Sequence, residues 1–150
     1  MKLSDFSKLL IFTLLFPFLS NAQAVNWLIE TPATGSEVCS DEFSNVYTCG
    51  RFMNSVIVGG VTYTSAGVQD VLIQKRDQMG NPSWATQIGN ANTDQVTDIT
   101  YDGYGNVWII GTFSGTLSIG SFTLDAIGGL DMYVVKLNAS NGTILFAQSG

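Results

Sequence analysis

The chain contains no histidine, only two cysteines and three prolines, and just 6 Lys+Arg among 150 residues. Each shortage excludes something. Without imidazole there is no Ser-His-Asp or Cys-His nucleophile system and no histidine metal centre. Two of the six basic residues, Lys2 and Lys8, lie at the extreme N-terminus. The four that remain give phosphate-backbone binding no electrostatic basis, so nucleic acid is not an expected partner. The 12 Asp+Glu leave a formal net charge of −6, and 45% of the residues are hydrophobic, which argues for a folded chain.

Residues 1–24 have the layout of a secretory signal. Lys2 and Lys8 precede the apolar run Leu9–Leu19, and Ser20-Asn21-Ala22 and Ala22-Gln23-Ala24 offer small-x-small cleavage sites. The run is shorter than the ~20 apolar residues that span a bilayer, so no membrane span is expected once the signal is removed. The expected location is secreted or at the cell surface. In an oxidising compartment Cys39 and Cys49 are expected to form a disulfide across a hairpin centred on Ser44. Two buried thiols are the alternative.

What the sequence does have is a repeat. Asn45, Gly50, Phe52, Gly59, Thr62, Gly67, Asp70 and Lys75 recur 61 positions later as Asn106, Gly111, Phe113, Gly120, Thr123, Gly128, Asp131 and Lys136. Between residues 44 and 77 the match needs no gap, and 9 of 34 positions are identical. After a one-residue shift, Trp84 answers to Phe146 and Ala85 to Ala147, while Trp27 echoes the same position within Asn26–Glu30. Self-similarity at a long fixed period marks a repeat architecture.

Each period carries four runs rich in Val, Ile, Thr and aromatics, as strands prefer. They are Glu37–Ser40, Asn45–Phe52, Val71–Arg76 and Ser83–Ile88, then Val96–Tyr101, Asn106–Phe113, Met132–Leu137 and Thr143–Gln148. A small hairpin around Gly59-Gly60, and another around Gly120-Ser121, separates the second and third runs. The fold class predicted is all-β, with tandem four-stranded antiparallel sheets arranged as propeller blades. Residues 25–36 form an N-terminal strand completing or preceding a blade, residues 37–89 blade one and residues 90–150 blade two.

The runs Gly67-x-x-Asp70-Val71-Leu72-Ile73-x-Lys75, Gly80-x-x-x-Trp84-Ala85 and Asp102-x-x-Gly105-Asn106-Val107-Trp108-x-x-Gly111-x-Phe113 together resemble the bacterial β-propeller repeat family known as SBBP. Gly128-x-x-Asp131 through Lys136 fits the same pattern. The resemblance covers residues 37–150 and implies an exported or surface protein with no catalytic residues to carry over. The first copy lacks the usual glycine before Asn45, so its first hairpin is expected to be irregular.

Propellers hold about four to eight blades, and two cannot close a ring. The chain is therefore expected to belong to a longer protein or to assemble a ring from copies, with self-association through exposed blade faces. Asp70 and Asp131 are expected to cap turns; a role as carboxylate ligands is the competing reading. Lys75 and Lys136 are expected to pair with a carboxylate or run along a blade edge. Asp94, Asp98 and Asp102, spaced by four, invite a calcium reading, but they lack the spacing of an EF-hand loop; ordinary turn and surface acids are expected, and no cofactor is implied. Trp84, Phe146, Tyr47 and Trp108 are expected to pack between blades. Asn138 and Asn141 fit the glycosylation acceptor pattern.

The expected function is a non-catalytic module for binding or scaffolding, with an extracellular ligand or further blades as partner. The alternatives are a purely structural surface repeat, or a propeller lyase or hydrolase working without histidine through residues such as Tyr101, Asp102 or Tyr104.

Overall fold

A computed structural model describes residues 34–150; the signal at 1–24 and the Asn26–Glu30 segment lie outside them. Twelve strands and no helix make up the described residues. The first sheet is β1 (Thr34–Ser40), β2 (Val46–Phe52), β5 (Asp70–Arg76) and β6 (Pro82–Ile88), hydrogen-bonded in that order. The second is β7 (Gln95–Tyr101), β8 (Asn106–Phe113), β11 (Asp131–Asn138) and β12 (Ile144–Ser149), again in order. Both are antiparallel. Between second and third strands each unit inserts a two-stranded hairpin, β3 (Ser55–Val58) with β4 (Val61–Thr64), and β9 (Thr116–Ile119) with β10 (Phe122–Asp125).

The registers repeat as faithfully as the residues. Val46 pairs with Arg76, and 61 positions on Val107 pairs with Leu137. Bulges after Lys75 and after Lys136 fall at the same step, as do those before Glu37 and before Asp98. A bulge adds one residue to one strand and sharpens the local twist, so its recurrence means the two sheets share their shape.

The Gly-less first hairpin is regular. Ser44 adopts φ 62°, the left-handed backbone that Gly105 takes at φ 83°, and Asn54 (φ 59°) does the same where the second unit has Gly115 (φ 71°). The expectation of an irregular loop is corrected by Asp41, whose side chain holds the loop. Its Oδ1 accepts the backbone N–H groups of Phe43 and Asn45, and its Oδ2 accepts Asn45 Nδ2.

The same loop corrects the cysteine pairing. A backbone bond from Asp41 to Asn45 centres the hairpin on Phe43, not Ser44. Cys39 consequently lies opposite Tyr47, and Cys49 opposite Glu37. The cysteines miss each other by two positions, and both are free thiols.

Directly opposed residues on neighbouring strands share a face. On the front of the first sheet stand Tyr47, Cys49, Ile73, Lys75 and Trp84; on the back of the second stand Ile99, Val107, Ile109, Val135 and Leu137. These two faces form the main core, with β7 lying against β1 and β2. The β3–β4 hairpin covers part of the first sheet's back, setting Val58 against Phe52 and Leu72. Being covered on both sides, β5 is buried almost throughout, whereas its counterpart β11 alternates buried and open positions.

Candidate functional site

Three Asp-x-x-x-Asn loops share one frame at one end of both sheets. In each, an aspartate Oδ1 accepts two backbone N–H groups and its Oδ2 accepts the asparagine side chain: Asp41 with Asn45, Asp77 with Asn81, Asp102 with Asn106. Desolvation alone would raise the Asp102 carboxyl, but these bonds and one from Trp108 Nε1 outweigh it and hold the group at about 2. Asp41 and Asp77 are lowered by the same kind of bonding, at Asp41 against desolvation. The spacing was visible in the sequence, yet Asp77 went unremarked because the 61-residue comparison sets it against Asn138, not against another aspartate.

Each frame offers an apolar tip to solvent. Phe43 is 69% exposed, Met79 71% and Tyr104 90%, all three at tips of the shared loop frame. A depression of about 550 Å³ lies between the first two loops, lined by Phe43, Ser44, Asp77 and Met79 among others.

The fourth loop at that end, Asn138–Gly142, turns inward and joins the units. The Ala139 carbonyl accepts Lys75 Nζ at 3.1 Å and Trp84 Nε1 at 3.1 Å, with Tyr47 Oη 3.4 Å away, and the Gly142 carbonyl accepts Thr86 Oγ1 at 2.8 Å. Lys75 sits 5.2 Å above the Tyr47 ring, and Tyr47 and Trp84 pack at 6.1 Å. Among the described residues Lys75 thus meets a carbonyl and a ring, not a carboxylate. Gly142 holds φ 74° with its Cα against Trp84, where a Cβ would come within 2.6 Å of the indole.

The second sheet carries the same receptor on its own front. Lys136 lies 5.2 Å above the Trp108 ring, and Trp108 and Phe146 pack at 6.3 Å. Nothing among the described residues covers it. Ile110 is 38% exposed and Met132 60%, against 1% and 0% for their counterparts Cys49 and Val71.

Asp70 and Asp131 hold equivalent turns. Asp70 Oδ2 accepts the Ala66 N–H, and Asp131 Oδ2 the Ile127 N–H, each four residues back. Asp70 is fully buried and crowds Gly89, and it also accepts Gln87 Nε2 at 2.6 Å. Asp94, which the sequence leaves among ordinary turn and surface acids, is fully buried too. Burial pushes its carboxyl up to about 6, against a backbone bond from Asn90 and with the Asp70 charge adding to the rise. Among the described residues no three of Cys, Asp and Glu gather into a set that could hold a metal ion.

Burial pushes the thiols up as well, Cys39 to about 11 and Cys49 to about 12, so neither supplies a thiolate nucleophile near neutrality. Of the described residues, no helix is long and apolar enough to cross a membrane. No protein-family model and no curated protein matches the chain.

Proposed function

We propose that the two sheets are consecutive blades of a propeller of the kind the SBBP-like repeat implies, acting outside the cell or on its surface as a non-catalytic binding or scaffolding module. The stacking of one sheet's front on the next sheet's back, in repeating register, supports the blade reading.

The observation that carries the binding reading is the row of exposed tips. Phe43, Met79 and Tyr104 stand on loops whose aspartates each accept two backbone N–H groups and the asparagine side chain, so the tips are pre-ordered. Apolar and aromatic groups held this way lose little conformational freedom on contact, which favours recognition. The side chains an enzyme would need speak against catalysis. Asp102 is held at about 2 with both oxygens engaged, and the Tyr101 ring is stacked on Tyr47. A general base works best with a pKa near the operating pH.

The test is retention on an array of glycans and matrix components at physiological salt. Retention lost in Phe43→Ala and Tyr104→Ala, with circular dichroism unchanged, is the expected result. Uniform absence of retention for the unaltered protein overturns the binding role and leaves a structural repeat.

A further inference from the structure

We propose that Asp70 and Asp94 together hold one calcium ion at the joint between the two sheets. This site is separate from the exposed loop tips and does not depend on their role.

Asp70 opens β5 of the first sheet, and Asp94 stands immediately before β7 of the second. A parallel bridge between Gln69 and Thr93, and a bond from the Asp94 N–H to the Gln69 carbonyl, run the two stretches side by side. Side chains alternate along extended chains, so the residues that follow the bridge, Asp70 and Asp94, leave on the same side. They meet around one peptide. The Asp70 carboxyl lies against the Cα of Gly89, and Asp94 Oδ2 accepts the N–H of the next residue, Asn90. Gly67, beside the Ala66 N–H that Asp70 accepts, lets main-chain oxygens approach as well: a Cβ there would collide with the Asn90 and Asn92 carbonyls.

Both aspartates are fully buried, and each keeps one oxygen, Oδ1, without a hydrogen-bond partner. A buried carboxylate oxygen left this way is costly, and among the described residues no Lys or Arg pairs with either group. Burial, with the Asp70 charge adding to it, pushes the Asp94 carboxyl up, as expected where two anions share a site without a counter-charge. A water molecule would satisfy the oxygens and leave the charge; a divalent cation answers both. Turn capping accounts for Asp131, whose Oδ2 and Oδ1 take the N–H groups of Ile127 and Met132. It leaves Asp70 Oδ1 unexplained.

Oxygen ligands suit a hard cation. Calcium accepts irregular sets of about six to eight oxygens, whereas magnesium demands a near-ideal octahedron that two chains held in register are not free to form. The carboxylates supply the charge, and main-chain carbonyls and water complete the shell. With only two carboxylates the dissociation constant is expected at about 0.1–1 mM, the range of extracellular calcium modules.

Calcium titration of the full chain, first stripped with a chelator, tests this by calorimetry and thermal melting. The unaltered protein is expected to bind one ion. At ten times the dissociation constant the folded state gains about elevenfold over the unfolded one, which raises the melting temperature by a few degrees. Hydrogen exchange at the Asn90 and Asp94 N–H groups is expected to slow on calcium binding. Asp94→Asn keeps an oxygen for the Asn90 N–H and removes the charge, so it is expected to fold and to lose both the binding and the shift. Asp98→Asn, at an exposed position on β7, is expected to keep them.

Absence of binding at about 10 mM calcium, ten times the weakest affinity expected, overturns the proposal. So does an equal shift with magnesium, or a shift that survives in Asp94→Asn. Each of these results leaves the reading of the loop tips untouched.

Discussion

The rings of Tyr47 and Tyr101 lie 5.9 Å apart and 6° from parallel, one contributed by each sheet. Tyr47 is fully buried, and its hydroxyl donates to Asp41 Oδ2 at 2.9 Å. One side chain thus ties a loop frame, the stack and the Ala139 turn together. Tyr47→Phe keeps the stack and loses the hydroxyl bond to Asp41, a cost of about 1 kcal/mol. Tyr47→Ala removes the ring as well and is expected to cost about 3–5 kcal/mol. Urea unfolding distinguishes the two; equal midpoints for both variants would contradict the role of the ring.

Ser44 holds a backbone angle suited to glycine, at φ 62°. Ser44→Gly is expected to stabilise the protein by about 1 kcal/mol, since a side chain in the left-handed region costs about that much. Ala at the same site relieves nothing. A thermal melt in which Ser44→Gly falls below the unaltered protein would show that the Asp41 frame already absorbs the strain.

Asp94 gives stability a slope of unusual sign. The unfolded residue loses its proton near 4, and the folded one holds it to about 6. Unfolding therefore releases a proton between those values, and stability falls as pH rises through them, by on the order of 2 kcal/mol. Asp41 and Asp102, both lowered, act oppositely, their contribution being lost as pH drops below 4 toward 2. The expected profile peaks near pH 4–5. Asp94→Asn should flatten its upper slope, and an unchanged slope in that variant would assign the effect to another group.

The two thiols should be inert in the native state at pH 7. Cys49 is 1% exposed and Cys39 half-buried, and both are pushed up by desolvation. A thiol reagent is expected to label neither until denaturant is added, then both. Above pH 9 the unfolded thiols ionise while the folded ones resist to about 11 and 12, so stability declines with rising alkalinity. Rapid native labelling would contradict the burial.

Much of this was legible beforehand. The 61-residue period led to two matching sheets, and the runs Asn106–Phe113 and Val71–Arg76 fell on β8 and β5 with at most one residue of difference. The hairpin centre was not legible, because Asp41 shapes its loop through side-chain bonds that no hydrophobic pattern records. Nor was the direction of stacking. Tyr47 and Trp108 carry the same kind of side chain at the same position, yet one faces a neighbour and the other does not. The burial of Asp94 was not legible either, because the residue sits in the joining segment, outside the matched strands, where its N–H bonds the Gln69 carbonyl.

Among the described residues no ladder of backbone hydrogen bonds crosses from one sheet to the other; strands β1, β2, β5 and β6 pair among themselves, as do β7, β8, β11 and β12, and the single Gln69–Thr93 bridge lies outside the strands. A gene encoding such a chain can gain or drop one whole period without orphaning a single strand partner. Selection is then left to adjust only what lies between neighbours, chiefly the residues around Ala139, and lengthening by duplication becomes a small evolutionary step.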